Sequence, residues 1–199
     1  MNNFKKYLTN KAGLSETEFQ QLKPFITLKK VIKGSFLLQP SEVCHHSFFV
    51  ESGLLRSYTI DETGKEHIIQ FASENWIISD RSSTYFNEPS TFYIDAIEDS
   101  ECILLDSNFT NRVCALSVSY AIYNEKSLHK HIRSLQNRIN LLIGANAETR
   151  YLDFIKQYPD LLLRVPQWMI ASYLGITPES LSRVRKELAK RNFKPNFYN

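Results

Sequence analysis

The residues best suited to act on a partner lie close together near the C-terminal end. Residues 167–186 read QWMIASYLGITPESLSRVRK. Wound as a helix at about 100° per residue, the part after Pro178 gathers Glu179, Ser182, Arg183, Lys186 and Lys190 on one side. Leu181, Val184 and Leu188 fall on the other. A hydrogen-bonding, cationic front on an apolar back is what the major groove of duplex DNA accepts. Arg183 has the planar fork for bidentate contact with guanine O6 and N7, and Glu179 can accept from a cytosine amino group. Each good base contact discriminates by about 1–3 kcal/mol. Lys186, Lys190 and Arg191 suit phosphates, which give affinity without sequence choice. Thr177, Pro178, Ser180 and Ser182 complete the expected DNA-contacting set.

Such a helix needs an anchor. Ile170, Leu174, Ile176, Leu181 and Val184 supply apolar positions, and Ala171 is small where two crossing helices would come closest. Gly175 stands where the chain must reverse. Thr177 is a good N-cap, and Pro178 follows at the first helical position, where its missing N–H costs nothing. The pattern predicts a helix-turn-helix.

Upstream, residues 121–143 carry Ala121, Leu128, Ile132, Leu135, Ile139 and Leu142, with spacings of four and three repeating from Leu128. This is the seam two helices need to pack lengthwise. Lys126, Lys130, Arg133, Asn137, Arg138 and Asn140 suit a solvated face around it. The stripe would otherwise pack on the body of the same chain, but few residues remain to cover so long a seam. A homodimer helix is therefore expected. A further helix over 147–157 should end before Tyr158-Pro159, with helical residues resuming at Pro166.

The first half has a different texture. Residues 4–22 follow an amphipathic helical pattern, with SETE at 15–18 resembling a capping box. From about Phe25 to Asp106 come about eight short β-rich runs separated by turn signals, which suggests an antiparallel roll or jelly roll. LLRSYTI-DETG-KEHIIQF reads as a hairpin, with Gly64 free to take positive φ.

Composition narrows the partner. Nine basic residues stand against four acidic ones from residue 150 onward, a surplus of five in a chain of net charge +3, so the remainder is at −2. A basic end on a mildly acidic body points to an anionic partner. The three cysteines, Cys44, Cys102 and Cys114, fit neither a disulfide framework nor a CxxC metal site. No secretory signal and no run of about 18 apolar residues is present, which implies a cytoplasmic protein without a membrane partner. Adjacent His45 and His46 would point to opposite faces of a strand, which disfavours the rival of a cupin-like metal enzyme. No catalytic residue and no metal site is expected.

A β-roll, a long dimer helix and a C-terminal helix-turn-helix in that order resemble the Crp/Fnr family of transcription regulators. The most specific parts are FFVESGLLRSYTIDETGKE (48–66) and GITPESLSRVRKEL (175–188). In the second, Glu179 and Arg183 match the family's base-reading glutamate and arginine. The resemblance implies an α+β fold: a cyclic-nucleotide-binding-like roll over 1–107, a lead-in and dimer helix over 108–145, and a winged helix-turn-helix over 146–199. It also implies a roughly palindromic double-stranded DNA site, RNA polymerase as a partner, and a small-molecule effector. Effector positions align with Ser79, Asp80, Arg81, Ser90, Thr91 and Phe92. Cyclic-nucleotide members carry Gly-Glu where this chain has Ser79-Asp80, and arginine where it has Ser90. A phosphate without that cation loses its bidentate contact and keeps its desolvation cost. An effector other than cyclic AMP is expected; a cyclic-nucleotide response through a divergent cassette is the alternative. After Phe193 only KPNFYN remains, so the wing should be truncated.

Overall fold

The computed structural model describes residues 1–192, and the expected truncated wing lies outside them. Two compact units divide the chain, Met1–His131 and Ile132–Asn199.

The first unit is an antiparallel roll of two four-stranded sheets. One has the order β1-β8-β3-β6, from Thr27–Val31, Ser100–Leu105, Ser47–Ser52 and Ile77–Ile78. The other has the order β2-β7-β4-β5, from Phe36–Leu38, Tyr93–Ala96, Leu55–Ile60 and Glu66–Ala72. The sequence runs that predict strands all contain one. The hairpin pairs Leu55 with Ala72 and Ile60 with Glu66. Its turn closes because the Asp61 carboxylate accepts the Thr63 and Lys65 N–H groups at 2.9 and 3.1 Å, while Gly64 takes φ +81°.

Side chains alternate across each strand, and in β3 both faces are buried. Phe48 and Val50 join Val31, Leu55, Ile94, Ala96 and Cys102 in a core that draws on both sheets. Phe49 and Ile103 point the other way, into a second core with Phe4, Leu8, Phe19, Leu22, Phe109 and Tyr120. The residues of that core flank the strands in sequence. They come from α1 (Asn2–Lys6), a wider helical turn at Tyr7–Lys11, α2 (Glu16–Leu22), α4 (Ser107–Leu116) and the start of α5 (Val118–Gly144). The continuous helical pattern expected over 4–22 is interrupted at residues 12–15. The capping box restarts it: Glu18 N–H donates to Ser15 Oγ at 3.2 Å, and Ser15 N–H to Glu18 Oε2 at 2.7 Å.

Charges inside this unit neutralise one another. Arg56 on β4 faces Asp95 on β7, and two parallel bonds of 2.8 and 2.9 Å join them. Glu66 takes a third guanidinium N–H, and the Tyr58 hydroxyl donates to Asp95 at 3.3 Å. Burial disfavours the guanidinium charge, but the Asp95 and Glu66 carboxylates outweigh it and push the Arg56 pKa up. Glu51 is likewise buried, accepting the Asn3 and Phe4 N–H groups, both at 2.8 Å, at the start of α1.

In the second unit, α6 (Ala147–Gln157) begins on an Asn146 cap and ends before Pro159 as its sequence predicts. A helical turn not foreseen there, α7 (Leu161–Arg164), precedes α8 (Gln167–Leu174). Buried Leu161 anchors it, and Arg164 reaches back to Asp160 at 2.8 Å. Last comes α9 (Pro178–Asn192).

Candidate nucleic-acid interface

Gly175 ends α8 at φ +65°, ψ 36°, a left-handed conformation that costs a residue without Cβ little. Two residues later Thr177 caps α9, accepting the Ser180 N–H at 3.2 Å through its hydroxyl, with Pro178 in the first turn. Leu181 and Val184 are buried and Leu188 half-buried, and on the adjoining α8 Ile170, Ala171 and Leu174 are buried as well. Behind them Phe154, Tyr158 and Tyr173 form a ring triad with centroids 5.3, 5.4 and 5.8 Å apart. Burial, then Tyr173, pushes the Tyr158 hydroxyl far above its usual range, so it stays neutral.

This wedge of apolar contacts sets which face of α9 meets solvent. Thr177, Pro178, Glu179, Ser182, Arg183, Lys186 and Lys190 are all exposed, and Ser180, whose N–H serves the cap, is half-exposed. Among the described residues Arg183, Lys186 and Lys190 have no ion-pair partner. Arg191, taken from its sequence position as a phosphate contact, pairs instead with Glu148 on α6 at 2.6 Å. Glu179 accepts from its own backbone N–H and from the Thr177 hydroxyl, which hold its carboxyl below the usual range.

The predicted seam lies along α5, which runs unbroken for 27 residues. Leu128, Ile132, Leu135, Ile139 and Leu142 are 38–56% exposed, while Ala121 is half-buried. A row of large aliphatic side chains left half in water is costly for a chain on its own.

The expected effector positions are arranged differently. Asp80 caps the short helix α3 (Arg81–Phe86), accepting the Ser83 N–H at 3.2 Å on one carboxylate oxygen. The Ser90 hydroxyl donates to the other at 2.7 Å and itself accepts the Phe92 N–H at 2.9 Å. Asp80 and Ser90 are both buried, Ser79 and Phe92 are half-buried, and Arg81 and Thr91 lie on the surface. Buried, bonded and with serine where a cation is needed, this cluster does not fit a cyclic phosphate. Sequence spacing gave no sign of the Asp80–Ser90 bond, since the two are brought together by the turn after α3. Among the described residues no three His, Cys, Asp or Glu side chains are grouped to hold a metal.

A family description, the cyclic nucleotide-binding domain, matches residues 28–117, which covers all but the first residue of β1 and the rest of the roll. The anaerobic regulatory protein of Haemophilus influenzae is 27% identical over 183 residues, 86% of this chain and 70% of that protein. The fumarate and nitrate reduction regulatory protein of Yersinia pestis is 26% identical over 191 residues, 90% of this chain and 76% of its own length. FixK2 from Bradyrhizobium japonicum has the same fold, with a TM-score of 0.71 at 19% identity over 84% of this chain and 86% of its own. Over most of its length the chain is similar to regulators of the Crp/Fnr kind. Its roll, its long helix and its C-terminal helices follow the order of the Crp/Fnr fold, and among the described residues no helix is long and apolar enough to cross a membrane.

Proposed function

We propose that this Crp/Fnr-like chain regulates transcription as a homodimer that reads a roughly palindromic duplex through α9, and that it is not an enzyme. The observation that carries this is the front of α9: exposed Arg183, Lys186 and Lys190, without ion-pair partners among the described residues, on a helix whose back is buried. Arg183 and Glu179 read base edges; Lys186 and Lys190 neutralise phosphates; Thr177, Pro178, Ser180 and Ser182 line the approach. The exposed row from Leu128 to Leu142, with Ala121 above it, is covered by the same helix of a second copy. Two-fold symmetry then asks for half-sites about one helical turn apart.

In this assignment residues 1–107 form the sensor roll, 108–145 the lead-in and dimer helix, and 146–199 the reading head. The protein works in the cytoplasm and engages RNA polymerase there. Any effector is not cyclic AMP, because Asp80 and Ser90 spend their polar atoms on each other and on Ser83 and Phe92. Calorimetric titration with cyclic AMP should give no binding heat.

Selection of bound duplexes from a random pool tests the central claim. Wild-type protein should recover a palindrome. Arg183→Ala should lose about tenfold or more of the preference for it, while salt-sensitive binding to any duplex survives. Recovery of no common sequence by wild type, or full preference in Arg183→Ala, would overturn the assignment.

A further inference from the structure

A helix ends with four carbonyl groups that have no partner inside it. At the end of α8 all four are accounted for. Gly175 N–H returns to Ser172 O at 3.0 Å, and Ile176 N–H returns to Ala171 O at 3.0 Å. These two bonds are the ordinary closure of a helix on a left-handed glycine. The remaining carbonyls are met by two arginines from other helices. Arg138, on α5, donates to Tyr173 O at 3.2 Å and lays its guanidinium over the Tyr173 ring at 3.8 Å. Arg150, on α6, donates to Leu174 O at 2.9 Å through one nitrogen, and to Ala145 O, just past the end of α5, at 3.0 Å through another.

The same place is sterically tight. A Cβ on Gly175 would lie 3.3 Å from Leu142 Cδ2 and 3.4 Å from the Arg150 guanidinium. Leu142 belongs to the exposed apolar row of α5, so one turn of that helix serves both the seam and the reversal that launches α9. Arginine suits the task because its flat fork can hydrogen-bond and stack at once, which a lysine ammonium cannot. A charged donor on the negative end of a helix also gains from the helix dipole.

We propose that Arg138 and Arg150 are positioning residues: they lock the turn of the helix-turn-helix onto the last turns of α5, and so fix the distance and angle between the two reading helices of a dimer. This rests on the DNA-reading function proposed above. Neither arginine touches DNA in it. Their loss should spare the reading of one half-site and spoil the reading of two at a set separation.

The experiment uses full-length protein and duplexes carrying the recovered half-site, either once or twice with the gap varied in single base-pair steps. Wild type should show one sharp optimum of spacing. Arg138→Ala and Arg150→Ala should bind the single half-site within about twofold of wild type, lose about tenfold at the optimal spacing, and show a flattened spacing profile. Arg138→Lys, which keeps a donor but not the stack, should recover part of the sharpness. It and Arg150→Lys carry the test should the alanine variants fail to fold. A sharp, unshifted profile in the variants would overturn the joint, as would equal losses on single and paired half-sites. Wild type without preference for any sequence would overturn the DNA-reading function itself, a result separate from failure of the variants alone.

Discussion

The two units treat their charged groups in opposite ways. In the roll, Arg56 is enclosed by Asp95 and Glu66, Asp80 by Ser83 and Ser90, and Glu51 by the start of α1. In the C-terminal unit, Arg183, Lys186 and Lys190 face water without a counter-charge among the described residues. A buried charge must be matched inside the fold or the fold suffers. An exposed one costs little and stays free to attract a partner. The first unit therefore spends its polarity on its own stability, and the second holds it for a ligand.

Removing a matched charge from the roll should do the most damage. Asp95→Ala removes the bidentate carboxylate partner of buried Arg56, and should cost about 3–5 kcal/mol in chemical denaturation while half-site preference survives in whatever remains folded. A cost below about 1 kcal/mol would show that Asp95 is not what matches the buried Arg56 charge.

The seam comes next. Ile139→Asp places a charge in the middle of the apolar row; sedimentation should then give a monomer, and affinity for paired half-sites should fall about 100-fold through lost bivalency. Persistence of a dimer would move the interface elsewhere.

A smaller effect is expected at Lys190. Lys190→Ala should weaken binding to all sequences alike and reduce the slope of log affinity against log salt by about 1 for each copy, about 2 for the dimer. A change in sequence preference would instead make Lys190 a base reader.

The smallest belongs to His131, whose imidazole is held below its ordinary 6.5 by burial and then by Arg81. The folded state resists a proton that the unfolded chain accepts, so this contribution to stability is whole above pH 6.5 and declines as pH falls from there towards the folded value. His131→Gln should flatten the fall in melting temperature across that window. An unchanged pH profile would place the acid sensitivity of the roll on other groups.

The strands were legible because Gly64, Asp61 and Pro89 mark turns between short apolar runs, and α6 because Asn146 and Pro159 bound it. The reading helix was legible for a similar reason: Gly175, Thr177, Pro178 and the Leu181–Val184 spacing all act within a few residues of one another. What stayed hidden depends on residues far apart in sequence. Arg138 looked like part of a solvated face of α5, yet it covers Tyr173, thirty-five positions away. Arg191 looked free for phosphate, yet it pairs with Glu148, forty-three positions before it. Asp80 and Ser90 looked like ligand contacts, and folding turns them towards each other. The interruption at 12–15 and the turn at Leu161–Arg164 escaped because apolar periodicity continues across one and a proline precedes the other.

The closure of α8 has a consequence in time as well as in shape. Turns between helices usually sit at the low end of local stability and let their amides trade hydrogen for deuterium quickly. Here the Gly175 and Ile176 amides are engaged, and the carbonyls around them are held by side chains from two neighbouring helices. Those two amides should be among the slow exchangers of their unit, released only when the whole head comes apart.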